Sequence, residues 1–217
     1  MKRAYQFTRL LFGFIFICFS CHNGQPNEVK EAKDSNTRAI DSSAVSGKPT
    51  TTVVPVSVSK DDAKFVVDAA AGGMEEVQLG QLAQQKGMAQ DVKAFGAMME
   101  RDHSKAGDRL TGLAKDKNIT LLSAIAPDMQ KMADDLQKKN GRDFDKAYIN
   151  MMVDDHKKDI KEFEKEAKNG ADADIRAFAD SSLHMLRTHL DSALSCQKRL
   201  KGTGAKLSTD NKPPTGY

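Results

Sequence analysis

Glu76, His103, His156 and His189 are the residues of this sequence best suited to chemistry, because each stands where its neighbours call for an apolar side chain. Apolar or small residues recur at alternating steps of three and four, the spacing that gathers side chains on one face of a helix. Four such stripes are present: Phe65, Ala69, Gly72, Glu76, Leu79, Ala83; Val92, Phe95, Met99, His103, Ala106, Leu110, Leu113; Ile149, Met152, His156, Ile160, Phe163, Ala167; and Ile175, Phe178, Ser182, Met185, His189, Ser192, Cys196, Leu200. A buried carboxylate and three imidazoles are costly unless partnered, and one divalent ion (Zn, Cu, Fe or Mn) would partner all four. Without metal, the same set reads as a proton-sharing network in which Glu76 bonds one or two imidazoles and fixes helix register.

Neighbouring residues extend the candidate site. Glu100 and His103 have the i, i+3 spacing used in di-iron bundles, so Glu100 is read either as an exposed acid or as an additional ligand. Asp102 and Asp155 each precede a stripe histidine and point toward a neighbouring helix, as solvated charges or as acceptors that orient an imidazole. Asp159, one turn after His156, is an edge candidate. Met99, Met152 and Met185 each lie four residues before a stripe histidine. A soft copper(I) site from them would need sulfurs at one level, and opposed helix directions divide them, so they read as core filler. His184 lies far around its helix from His189 and is expected to face solvent, whereas Cys196 reads as a small buried apolar residue.

These side chains need long helices to position them. The first is expected from a cap at Asp61 or Asp62 to Gly87, the second to end near Asn118, the third at Asn169-Gly170 and the fourth at Gly202. Glu76 lies about 12 residues before the first turn and His103 about 15 after it; His156 lies about 14 before the last turn and His189 about 18 after it. At about 1.5 Å per residue all four come close to mid-bundle. The fold expected is all-α, two antiparallel hairpins forming a four-helix bundle over residues 61–201. A short extra helix, carrying Met129, Met132 and Leu136, is expected between the second and third, in a 119–142 connection that either runs the bundle's length or folds back.

The flanks read differently. Lys2, Arg3 and Arg9 precede the apolar run Leu10 to Phe19, too short to span a bilayer and placed as in a secretory signal. Ser20-Cys21 then reads as a lipoprotein cleavage site, so residues 1–20 are expected to be a signal peptide and Cys21 to carry the lipid. Residues 21–60, with Pro26, Pro49 and Pro55, are read as a disordered tether and 202–217 as a disordered tail. The 33 Lys plus Arg against 30 Asp plus Glu suggest a basic protein, but the surplus lies wholly within the signal. The remaining chain is balanced and has no basic excess for nucleic acid.

Asp62-Ala63-Lys64-Phe65, the run Ala70 to Leu82, Asp91 to Phe95, Asp102-His103, Phe144 to Tyr148, Asp155-His156, Phe163 to Glu166 and His189-Leu190 together resemble a bacterial secreted ferritin-like family. That family is catalogued as a domain of unknown function and often labelled predicted outer membrane protein. The resemblance covers about residues 61–200. It implies a ferritin-like fold, a cell-envelope location, and Glu76, His103, His156 and His189 as the shared polar residues. His184 stands where that family usually has Pro, and no reaction is implied. No stretch alternates as membrane strands do, and the second Glu-x-x-His of a di-iron ferritin is missing.

Two functions follow as expectations. One is an envelope lipoprotein, on the periplasmic face of the outer membrane, that binds a divalent metal. The other is a structural or interaction module whose polar layer holds no metal. An enzyme is the weaker expectation, since no nucleophile, phosphate loop or substrate-binding aromatic cluster is visible.

Overall fold

The stripes do form helices. A computed structural model describes residues 28–45 and 58–209, with side chains over 28–42 and 58–202. Its six helices are α1 (Glu28–Val45), α2 (Lys60–Lys86), α3 (Gln90–Asp116), α4 (Pro127–Gln137), α5 (Gly141–Asn169) and α6 (Ala173–Thr209), with no strand among the described residues. Ser59, rather than Asp61 or Asp62, caps α2 by accepting from the Asp62 amide. Asn118 takes a left-handed conformation (φ 57°) after α3, and the Ile119 amide bonds back to Ala114. That reversal closes the helix where the sequence places its end.

Asp62 has a longer reach than a cap. Its two carboxylate oxygens accept from the amides of Ala171 (2.9 Å) and Asp172 (2.8 Å), in the turn between α5 and α6. Asp145 on α5 does the same for the other turn, accepting from Met88 (2.9 Å) and Ala89 (2.8 Å). Each hairpin thus clamps the turn of the other. The two clamps are related by one constant shift of 83 residues (62 to 145, 88 to 171, 89 to 172). The sequence around the turns repeats at that same shift, GMAQDVKAF at Gly87 to Phe95 and GADADIRAF at Gly170 to Phe178.

The clamps also fix chain direction. Lys117, at the end of α3, pairs with Asp172 (2.8 Å) and Asp174 (2.6 Å) beside the α5–α6 turn. The connection that leaves it reaches α5 at the opposite end, where Asp145 meets the first turn and the Lys86 ammonium meets the Gln137 carbonyl. It therefore runs the bundle's length, with α4 against α2 and α5. Helices α2 and α3 pack closely because Gly80 and Gly96 face each other: a Cβ on either would lie 2.6 Å from the other's carbonyl oxygen. Hairpin meets hairpin through α3 on α6 and α2 on α5.

Two apolar clusters close the ends. One gathers Leu79, Phe95, Met99, Phe144, Tyr148, Ile149 and Met152; the other gathers Val66, Val67, Leu110, Ile119, Ile175 and Phe178. Helix α1 joins the second cluster, and here the structure departs from the expected tether. Ala32 is buried, and Asn36 exchanges two hydrogen bonds with the backbone of Thr120. Pro26 and Pro49 bracket this helix rather than break it, since nothing between them blocks helical geometry. Helix α6 likewise continues past Gly202 to Thr209, so the tail is helical over its first residues. The signal segment, Cys21, residues 46–57 and residues 210–217 lie outside the described residues.

Candidate metal centre

Between the two clusters lies a polar layer. Three helices bring His103 (α3), His156 (α5) and His189 (α6) together, all buried, because each replaces an apolar member of a core-facing stripe. One nitrogen of each ring lies within 4.8 Å of one nitrogen of each other ring. His189 Nδ1 is 3.3 Å from His103 Nε2 and 3.2 Å from His156 Nε2.

Each far nitrogen faces an acceptor, which assigns it the N–H of a neutral ring. His103 Nδ1 donates to Glu76 Oε2 (2.9 Å), His156 Nδ1 to the Met152 carbonyl (2.9 Å) and His189 Nε2 to Asp102 Oδ2 (3.2 Å). A neutral imidazole has one N–H, so these bonds leave His103 Nε2, His156 Nε2 and His189 Nδ1 as lone pairs pointing at one another. Lone pairs at such separations repel unless a proton or a cation lies among them. Four-coordinate zinc with nitrogens at about 2.0 to 2.1 Å sets neighbouring ligand atoms roughly 3.3 Å apart. The two edges at His189 match, the His103–His156 edge lies within 4.8 Å, and the donor chemistry suits the borderline divalent metals.

Electrostatics set the three rings apart. Burial, helped by His103, holds His189 down at about 4, and burial also lowers His156. Burial works against a charged His103 as well, but facing Glu76 outweighs it and raises this ring, while His103 in turn draws Glu76 below the ordinary carboxylate range. Asp102 is held at about 2, first by the Arg101 guanidinium, which binds both of its oxygens, and then by His189. Around the layer stand acids that Lys158 relieves only in part. Burial, then neighbouring carboxylates, pushes Asp155 up to about 6, Glu75 to about 7 and Asp159 to about 8.

Of the residues singled out from sequence, the three histidines converge, but Glu76 stands behind them. It bonds His103 Nδ1 and lies 3.4 Å from His156 Nδ1, on the outer side of both rings, so it stands behind the imidazoles and not among the converging nitrogens where it was expected. Glu100 is not brought in at all: Gln81 (2.9 Å) and Gln84 (2.6 Å) bind its two oxygens on the α2 side. Of the two candidate acceptors, Asp102 reaches the histidine of a neighbouring helix and Asp155 bonds none. Met99 and Met152 are core filler in one cluster, His184 is exposed, and Cys196 is buried. The Met152 carbonyl was missed, because a backbone acceptor leaves no mark in a sequence. Glu75 was missed because it sits one residue off the stripe.

The chain belongs to the family described as "Domain of unknown function (DUF4142)", which matches residues 48–195. No curated protein matches it. Among solved structures it is similar to the "Crystal structure of DUF305 fragment from Deinococcus radiodurans", with a TM-score of 0.58 and 9% identity over 65% of this chain and 98% of that one. At that identity the likeness concerns the fold alone.

Proposed function

We propose that this member of the DUF4142 family is an envelope lipoprotein whose ferritin-like four-helix bundle binds one divalent metal ion through His103, His156 and His189. The observation that carries the reading is the set of three converging ring nitrogens, each ring facing its own acceptor from behind. Carboxylate–histidine–metal arrangements have that form. The surrounding acids agree with it, since a divalent cation would offset negative charge that burial otherwise drives toward protonation. The ferritin-like assignment is supported by the single long crossover, a connection that separates such bundles from the up-down-up-down type. Lipidation of Cys21 and the envelope location are supported by the basic start, short apolar run and Ser20-Cys21.

Protein purified without a polyhistidine tag provides the test. A bound ion stabilises the folded state by RT ln(1 + [L]/Kd), about 2.7 kcal/mol at a hundredfold excess over Kd. Melting temperature is expected to rise with Zn²⁺, Cu²⁺, Fe²⁺ or Mn²⁺, and the rise is expected to vanish in His156→Ala. Three protein nitrogens leave a four-coordinate ion one open position.

The Glu76–His103 pair favours a second reading, in which His103 carries an additional proton and the layer is a metal-free network that only specifies the fold. It predicts no metal by elemental analysis and no ion-dependent shift. That result would retire the metal reading.

A further inference from the structure

The 83-residue shift that relates the two hairpins carries Glu76, His103, His156 and His189 onto Asp159, Leu186, Gly73 and Ala106. All four of these positions line one cavity of ≈ 590 Å³, whose wall also includes Glu76 and His103 themselves. In the second half of the layer Leu, Gly and Ala thus stand where the first half has imidazoles, and Met185, also in the wall, stands where Asp102 would be. What remains is space beside the histidine centre, of a size typical of small-molecule sites.

The glycines point the same way. A helix-interior glycine weakens a helix relative to alanine, and at Gly80 and Gly96 close backbone approach accounts for it. At Gly72, Gly73 and Gly107 an added Cβ would meet nothing within 4 Å. These three residues avoid no clash; they keep the chamber open from α2 and α3.

The wall has a definite character. Phe65, Phe163 and Phe178 form one aromatic side, with ring centroids 4.9 and 6.2 Å apart in sequence of contact. Among the described residues no Lys or Arg lines the cavity. Asp68 and Glu162 in its wall are paired with Lys33, Lys64 and Lys158 outside it, whereas Glu76, Asp108 and Asp159 form no ion pair with a Lys or Arg among the described residues. Such a wall accepts apolar, ring-bearing molecules and rejects anions.

We propose that this cavity is a ligand chamber for an aromatic small molecule without negative charge, seated against the histidine centre. Its place beside a metal rests on the preceding reading; the chamber itself does not.

Two dyes that share one apolar body test it on full-length mature protein stripped of metal by chelation. N-phenyl-1-naphthylamine is neutral, and 8-anilinonaphthalene-1-sulfonate is the same molecule with an added sulfonate. The neutral dye is expected to bind saturably, one per chain, and the sulfonate at least tenfold more weakly. Gly73→Leu and Ala106→Leu, on different helices, are each expected to weaken the neutral dye at least tenfold with helical circular dichroism unchanged. Two variants are used so that failure of one to fold leaves the other decisive. Absence of saturable binding, equal binding of the sulfonate, or unchanged binding in a folded variant would overturn the proposal. Because the protein is metal-free, that failure is distinct from failure of the metal reading. Conversely, a dye that binds and also shifts the absorption of Co²⁺-loaded protein would join the two.

Discussion

At the scale of single residues, the layer holds opposite responses to pH. His189 is held at about 4 in the folded chain against an ordinary value near 6.5. The unfolded chain therefore binds the extra proton across that window, and this group makes the metal-free protein less stable as pH falls from about 6.5 to 4. Asp159 behaves in the other sense. Raised to about 8 from 3.8 by burial first and Glu76 next, it keeps a proton that the unfolded chain has released, so its contribution to stability falls as pH rises from about 4 to 8. Asp159→Asn is expected to melt like the parent at pH 4 and to be more stable at pH 8, on the order of 2 kcal/mol after allowance for partial solvent contact. Thermal melts of the chelated protein at both pH values check this, and a gain at pH 4 only would contradict it. Asp102 offers a test of orientation. Asp102→Asn is expected to weaken metal binding about 10- to 100-fold, the usual effect of losing an outer acceptor, as measured by competition with a chelating dye. The parent's own affinity should fall as pH drops, first as His103, raised by Glu76, takes a proton and again toward pH 4 as His189 does.

At the scale of helices, Asp62 and Asp145 do equivalent work, and their loss should cost alike. Each accepts from two successive amides of a turn, and replacement by Ala leaves both donors without that acceptor. Asp62→Ala and Asp145→Ala are each expected to lower unfolding free energy by about 2 to 4 kcal/mol, as read by urea denaturation. The Asn variants should lose less, since an amide oxygen retains one bond. A large effect for one aspartate and none for the other would break the equivalence of the hairpins.

What was legible at this scale follows from the same physics. The 3.6-residue stripes and the Gly87 and Gly170 stops mark α2, α3, α5 and α6 and place the ends of the first three within about two residues, because periodic burial is written locally, whereas α6 runs past the expected Gly202 end to Thr209. The three histidines were legible because a polar side chain in an apolar stripe stands out. Glu76 was legible in depth but not in its position behind the rings, since periodicity locates a side chain around an axis and says nothing of which ring atom it meets. Helix α1 was hidden because its burial is slight, Ala32 and Asn36 being its buried residues, and because it packs on α2 and, through Asn36, on the backbone of Thr120, contacts that no local pattern announces. The hairpin repeat was equally present in the sequence. It becomes plain once the two aspartates are seen clamping opposite turns.

At the scale of the whole molecule, the apolar core is divided. Clusters at the two ends, the reciprocal clamps and the Lys117 ion pairs hold the hairpins together, while the middle contains closely spaced imidazoles, buried acids and a cavity. The middle turns should therefore open more readily than the ends in metal-free protein, since local stability follows local apolar contact. A metal ion held by His103, His156 and His189 would tie α3 to α5 and α6, joining one hairpin to the other at the point where packing is weakest. Its effect on motion should then be local. Hydrogen exchange by mass spectrometry is expected to show peptides around residues 99–107, 152–160 and 185–193 exchanging at least tenfold more slowly with Zn²⁺ than without. Peptides in the end clusters, such as those around Val66 or Phe95, should change little as long as they exchange by local opening. Protection spread evenly over all helices would mean that the ion stabilises the molecule only globally, and protection confined to surface acids would place it elsewhere. In either case the histidine layer would not be the joint between the hairpins.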